Sequence, residues 1–272
     1  MSAGNGRADG PASRVSGEAV PLDLDDAWRL VLAVRRYVDQ HPGSGAAADV
    51  RFGPTPEGWS PARSGPVDLS FGPDGAALRH LRRPADAFVR QLLDLHLRHA
   101  ALPPAQGYVL AILGQSLDGF IATREGNSRY INCNDSLHYL HRLRALSDAV
   151  VIGVGTAVAD SPQLTTRHVP GPDAVRVVID PKGRLPKDSG LVHDAAAPTL
   201  VIRATDGEPG ETRLSAQATA LHVRATNGAI APADVVAVLA ERRLTRLLIE
   251  GGGVTVGRFL EAGALHRLQL AV

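Results

Sequence analysis

Cysteine is almost missing from this chain of 272 residues: Cys133 is the only one. A single thiol excludes an intramolecular disulfide framework and any cysteine-cluster zinc site, and it calls for no oxidising compartment. Aromatic residues make up 4%, too few for a base-stacking platform of the kind that holds single-stranded nucleic acid. Neither sign of charge is in excess, with 29 Lys and Arg against 28 Asp and Glu. A nucleic-acid surface usually shows as a basic stripe, so none is expected. No apolar run approaches the roughly 18 residues of a membrane helix. The longest candidate, residues 149–159, is broken by Gly153, Gly155 and Thr156. Residues 1–10 lack the basic start and apolar run of a secretory signal. The expectation is a soluble, cytoplasmic protein.

What is present is ordinary globular material, 44% hydrophobic and 21% charged, enough to bury a core. The length suits one or two domains. Residues 1–20, rich in Gly, Ala and Ser, read as a disordered tail. Residues 24–38 read as a helix, with Asp25 and Asp26 at its start and Arg35 and Arg36 towards its end. Residues 42–75 hold six Pro and seven Gly and read mostly as loop, with short strands at 48–52 and 67–71. Residues 85–100 read as a helix whose apolar stripe runs through Phe88, Leu92 and Leu95.

Past residue 107 the texture changes. Short apolar runs at 108–114, 149–154, 175–180, 199–204, 220–225, 246–250 and 267–272 read as strands, and 134–146, 231–243 and 254–262 as helices. Near-continuous apolar strands separated by helices indicate an α/β fold with a mainly parallel sheet. The chain thus divides near residue 105 into an extension at 21–106 and a domain at 107–272.

Two glycine turns follow strands, one at Gly153-Val154-Gly155-Thr156 and one at Glu250-Gly251-Gly252-Gly253. Glycine lets backbone approach a phosphate, and the amides of a following helix point at an anion. Strand-to-helix turns also use glycine for conformation alone. Neither turn matches the G-x-G-x-x-G dinucleotide fingerprint or a Walker-type loop. Arg258 could meet an extra phosphate, as in NADPH. Asp118, before Gly119 at the end of the first strand, is a turn residue or a ligand-facing one. Glu250 ends an apolar strand and must be solvated, paired or ligand-facing. Arg144 suits the last turn of its helix; together with Arg167 it could also grip a phosphate. The ten histidines include no H-E-x-x-H. The pairs His96/His99 and His138/His141 read as solvated helix faces rather than metal ligands.

The runs SLDGFIATREGNSRYI (116–131), HRLRALSDAVVIGVGTAVADSPQLTTR (141–167), VRVVIDPKGRLP (175–186) and RLLIEGGGVTVGRFLEAGAL (246–265) make residues 108–270 resemble a known family. It is the reductase half of the bacterial riboflavin-pathway bifunctional deaminase/reductase. The resemblance implies a dihydrofolate-reductase-like α/β fold, NADPH as cofactor and a homodimer. It also implies reduction of a ribosylaminopyrimidine 5′-phosphate to the ribitylamino form, with hydride to C1′ of the ribose. It places the cofactor at Gly114, Tyr130, Thr156, Asp160 and the stretch Gly252, Gly253, Val254, Thr255, Val256, Gly257, Arg258. It places the substrate at Ser128, Arg144, Leu164, Arg167 and Glu250. Asp118 or water would deliver the proton.

The chain departs from that pattern in several ways. Residues 1–106 lack the H-x-E and P-C-x-x-C zinc signature of the deaminase half. Phe120 stands where many members carry a basic residue, and Ser161 where an Asp is common. The chain stops at Val272, inside a segment read as a strand, where members usually continue. Residues 21–106, or a second subunit, are therefore expected to cover the open edge. Three functions follow as expectations: the pyrimidine reductase, a same-fold reductase for another heterocycle such as a pterin, and a non-catalytic binding module. Ser128, Arg144, Arg167 and Glu250 together favour the first.

Overall fold

The computed structural model describes residues 21–42, 50–55, 58–61, 69–71, 78–81, 85–124, 134–225 and 228–272. The expected tail at 1–20, as well as Ser128, Tyr130 and Cys133, lie outside the described residues. Helix α1 (Leu24–Gln40) starts at Asp23, whose carboxylate accepts the Asp26 N–H at 2.7 Å. It runs two residues further than its charge pattern predicts. Arg35 does not serve the end of the helix. It lies buried and paired with Asp148 at 2.6 Å.

The stretch 42–75, read as mostly loop with short strands at 48–52 and 67–71, contains three strands, β1 (Val50–Thr55), β2 (Gly58–Pro61) and β3 (Leu69–Phe71), and β4 (Leu78–Leu81) follows it. They form an antiparallel sheet in the order β2-β1-β3-β4. Pro54 is tolerated in β1 because that end overhangs β3, which pairs only with Val50 to Phe52.

Helix α2 (Ala87–Ala100) is capped by Asp86, which accepts the Val89 N–H at 2.8 Å. Its buried stripe is Val89, Leu92, Leu93, His96, Leu97 and Ala100, whereas Phe88 is 73% exposed. His96 and His99 are not solvated; both are buried. Here the i, i+3 pattern marked the inner face. His96 donates from Nδ1 to the Leu92 carbonyl and packs edge-on against Trp28 and Tyr139. His99 meets Tyr108 in the same way.

Burial, above all, drives the His96 pKa down to about 4 and that of His99 to about 3. The unfolded chain therefore binds more protons than the folded one below pH 6.5, and stability falls as the pH drops through that window. At pH 5 each histidine should cost about 2 kcal/mol. Urea unfolding of His99→Leu and wild type at pH 7.5 and 5 checks this. The variant should lose less stability on acidification, and parallel losses would contradict it.

The remaining chain builds the expected α/β fold. In order come β5 (Tyr108–Gly114), α3 (Asn134–Leu146), β6 (Ala149–Gly153), α4 (Val154–Asp160) and β7 (Val175–Ile179). Next come α5 (Gly190–His193), β8 (Thr199–Thr205), β9 (Gly210–Arg213) and β10 (Ala218–Arg224). The last are α6 (Pro232–Ala240), β11 (Arg246–Glu250), α7 (Gly253–Glu261) and β12 (Arg267–Ala271). The sheet order is β12-β5-β11-β6-β7-β8-β10-β9, parallel except for β9. Its strands are apolar on both faces because both faces are covered. Leu110, Val150, Ile152, Val178 and Leu248 pack with α3, α4 and α5 residues. Val109, Ala149, Val151, Val177 and Ile249 pack with α6 and α7 residues. Strand β9 escaped the sequence reading because all four of its residues are exposed and no apolar period marks it.

Helices α1 and α2 share a third core with Ala145 and Leu146 of α3. Trp28 closes that junction, its indole N–H donating to the Pro170 carbonyl at 2.7 Å. The expectation that residues 21–106 cover the open edge is not met among the described residues. β12 pairs with β5 alone, and the four N-terminal strands form their own sheet. Among the described residues, no helix is long and apolar enough to cross a membrane.

Candidate functional site

Strands β11 and β6 are neighbours in the sheet, so the two glycine turns that end them lie side by side. They interlock. A Cβ on Gly153 would stand 2.4 Å from Thr255 Oγ1, and one on Gly251 would stand 3.0 Å from the Thr156 side chain. Gly251 also takes φ +100°, a conformation that glycine alone adopts readily. The Gly252 N–H donates to Thr156 Oγ1 at 3.2 Å. Both glycine runs are thus needed for the two turns to pass this close, which brings the starts of α4 and α7 together.

These starts open onto a cavity of about 820 Å³, bordered also by Pro232 at the start of α6. Helices α4, α6 and α7 carry no capping side chain, whereas α1 and α2, away from the cavity, are each capped by an aspartate. First-turn amides without a built-in acceptor suit an anionic ligand. A phosphate-bearing cofactor therefore fits the donors present.

The cavity wall also carries an ion pair. Glu250, 7% exposed at the end of β11, is held by Arg144 of α3. Arg144 Nε donates to one carboxylate oxygen at 2.7 Å and Nη2 to the other at 2.6 Å. Arg144 Nη1 donates to the Thr165 carbonyl at 2.8 Å. Burial opposes the Arg144 charge, but Glu250 holds its pKa above the ordinary guanidinium value. The fork of Arg144 is therefore spent on a protein carboxylate. Of the readings open for Glu250, the paired one holds, and the residue lines the cavity as well.

Leu164, buried, takes φ +56°, a left-handed conformation costing a leucine roughly 1–2 kcal/mol. Its loop is pinned on both sides. Arg144 holds Thr165, and the Arg167 backbone N–H donates to His141 Nδ1 at 2.8 Å. His141, expected to be solvated, is buried. Burial, then Arg144, His168 and Arg167, push its pKa down to about 3, so it stays a neutral acceptor. The Arg167 side chain is exposed and donates from Nη1 to Thr165 Oγ1 at 2.8 Å. Burial and then Arg144 hold its pKa below the ordinary value.

The cavity wall brings together Gly114, Arg144, Thr156, Asp160, Leu164, Glu250, Gly252, Val254, Thr255 and Arg258. A Cβ on Gly253 would stand 2.9 Å from the Ile121 side chain, Val256 belongs to the core, and Gly257 faces open space. Asp118 is exposed in its own turn, accepting from the Ser116 hydroxyl, and does not line the cavity. The wall also includes residues that sequence reasoning missed: Ile121, Leu140, Arg184, Ile230 and Phe259. Among the described residues, no cluster of His, Cys, Asp and Glu is arranged to hold a metal.

A family model described as the RibD C-terminal domain matches residues 107–272. The chain is 32% identical over 162 residues to the riboflavin biosynthesis protein RibD of Aquifex aeolicus, covering 59% of this chain and 44% of that one. It is 32% identical over 168 residues to the 2,5-diamino-6-ribosylamino-4(3H)-pyrimidinone 5′-phosphate reductase of Methanothermobacter thermautotrophicus. That match covers 61% of this chain and 76% of the archaeal one. A solved pyrimidine reductase-like protein from Corynebacterium diphtheriae is similar at 19% identity, 63% and 77% coverage, and a TM-score of 0.49. The chain spans less than half the length of the RibD proteins it matches.

Proposed function

The chain belongs to the RibD C-terminal domain family through residues 107–272, and from that premise we propose that it reduces a ribosylaminopyrimidine 5′-phosphate to its ribitylamino form with NADPH. The observation that carries this reading is one cavity lined both by the uncapped start of α7 and by a buried, carboxylate-locked Arg144. The first-turn amides of α7 and the Thr255 and Arg258 side chains would hold the cofactor, with Gly114, Thr156 and Asp160 alongside. When bound, NADPH supplies a hydride for C1′ of the ribose.

The chain's own residues orient and solvate. Each oxygen of Glu250 receives one bond from Arg144, which leaves lone pairs to accept from an N–H or hydroxyl of the substrate. Arg144 positions Glu250 and the Thr165 carbonyl with three of its five N–H groups and keeps two for the substrate phosphate, while the Arg167 side chain stands off the cavity wall on the same loop as Thr165. An arriving phosphate would relieve the repulsion between Arg144 and Arg167. The proton comes from water, because Asp118 is not on the wall. Orientation and fixed charge carry such a reaction without a covalent nucleophile.

The test is NADPH oxidation followed with the aminated and the deaminated ribosylaminopyrimidine phosphates. Turnover of either one is the expected result. NADPH binding without turnover of either would transfer the reading to another heterocycle, and absence of NADPH binding would overturn it altogether.

A further inference from the structure

We propose that Trp28 of helix α1 is a positioning residue for the reductase site: its indole N–H holds the loop of residues 164–173 in the form that the substrate end of the cavity requires. This rests on the function proposed above, in which the pyrimidine phosphate lies beside Arg144 and Leu164.

The family model begins at residue 107, so Trp28 reaches the site from outside the matched domain. It is 2% exposed and meets α2, α3 and the loop at once. Its ring packs edge-on against His96 of α2, with centroids 5.7 Å apart. The guanidinium of Arg142 of α3 lies 5.8 Å from the ring centroid, within cation–π range. Its Nε1 donates to the Pro170 carbonyl at 2.7 Å. Packing against two helices fixes the ring and therefore aims the N–H.

Between that donor and the cavity the loop is tied into one body. At the far end, Val169 packs on the core that holds Trp28. Beside it, Gly171 comes so near α3 that a Cβ would stand 2.6 Å from the Ala145 Cβ. In the middle, the Thr166 N–H donates to Asp173 Oδ1 at 2.6 Å and the Thr166 hydroxyl to the Pro172 carbonyl at 3.0 Å, which closes the loop on itself. At the near end, His141 and Arg144, one turn apart on α3, take the Arg167 N–H and the Thr165 carbonyl. Leu164 then reaches the cavity wall in its left-handed conformation.

A strained residue persists only where its surroundings over-determine it. His141, Arg144 and Asp173 supply such ties from within the matched domain, and Trp28 supplies one from α1. Releasing Pro170 frees the far end of the loop. Movement there passes through the Thr166 closure to Thr165, whose carbonyl fixes the fork of Arg144. The start of α7 and the two glycine turns are held by β6 and β11 and do not depend on this loop. Loss of the tie therefore weakens substrate binding and spares the cofactor.

The test compares three variants of the full chain. Trp28→Phe keeps a ring and removes the N–H. Val169→Ala thins the seat of the loop. Val34→Ala thins the same core further along α1. In Trp28→Phe, KM for the pyrimidine phosphate should rise by roughly twofold to tenfold, the worth of one net hydrogen bond. Its kcat and its NADPH affinity by calorimetry should stay unchanged. Hydrogen exchange in the segment 164–171 should quicken by a similar factor. Val169→Ala should move KM and exchange in the same direction, and it carries the comparison if Trp28→Phe does not fold. Val34→Ala should lower the urea midpoint and move neither. An unchanged KM in Trp28→Phe overturns the proposal. So does a rise that Val34→Ala reproduces, or a parallel loss of NADPH affinity. If wild type reduces neither pyrimidine phosphate, the proposed function fails, and exchange alone decides whether Trp28 holds the loop: an unchanged rate in Trp28→Phe means that it does not.

Discussion

Arg144→Ala is expected to abolish measurable reduction and to destabilise the chain by about 3–5 kcal/mol, the usual cost of removing one partner from a buried ion pair. The arginine and Glu250 are both less than a tenth exposed and bonded through two parallel contacts. Without Arg144, the carboxylate keeps its burial and loses its compensation. The Thr165 carbonyl loses its donor too, so the strained turn at Leu164 loses one of its pins. Stability and function can then be separated. In Arg144→Met combined with Glu250→Leu, no buried charge is left unpaired, and most of the stability should return. Activity should not return, because the carboxylate at the end of β11 that would accept from the substrate is gone. Urea unfolding and NADPH oxidation on both variants check the two halves. A single variant as stable as wild type, or a double variant with restored turnover, would contradict the roles given to this pair. NADPH binding should suffer less than substrate use in Arg144→Ala, because Arg144 is not among the groups assigned to the cofactor.

The elements that sequence made legible are those whose signal is local. The parallel strands announced themselves because both faces of the sheet are covered, so Val150 to Ile152 and Leu247 to Ile249 are all apolar and all buried. Glu250 stood out as a charge at the end of such a run, and the glycines after it marked a turn. What the sequence left open depended on distant partners. Nothing local says that Arg144 closes on a carboxylate 106 residues away. The same holds for His96 and His99, whose spacing equally fits a polar face until Tyr139 and Tyr108 are placed against them. The N-terminal sheet was hidden by prolines and glycines that the ends of its strands accommodate.

Asp148→Asn should be equally severe for a different reason, because this carboxylate joins the N-terminal helices to the parallel sheet. Asp148 lies in the turn between α3 and β6, its side chain 11% exposed. One oxygen takes Arg35 of α1 at 2.6 Å and Arg246 of β11 at 3.3 Å. The other takes the backbone N–H groups of Thr245 at 3.0 Å and Arg246 at 2.8 Å. Asp39 of α1 bonds the same two arginines. Burial raises the Asp39 pKa, Arg35 opposes the rise and Asp148 adds to it. With asparagine at 148, Asp39 alone would have to balance two buried guanidinium groups, and an amide N–H would have to share the space with them. The expected cost is again about 3–5 kcal/mol. The chain carries its own reporters for where that cost falls. Trp28 and Trp59 are the only two tryptophans, and both belong to the core around α1 and α2. Tryptophan fluorescence therefore follows this core, while far-ultraviolet circular dichroism follows the whole chain. In wild type the two urea transitions should coincide, as for one cooperative unit. In Asp148→Asn the fluorescence transition should move to lower urea, ahead of the dichroism, because the ionic tie between α1 and β11 is what the substitution cuts. Coincident transitions within about 0.5 kcal/mol of wild type, the range of an inert surface change, would mean that the apolar packing of α1 and α2 on α3 holds the junction without it.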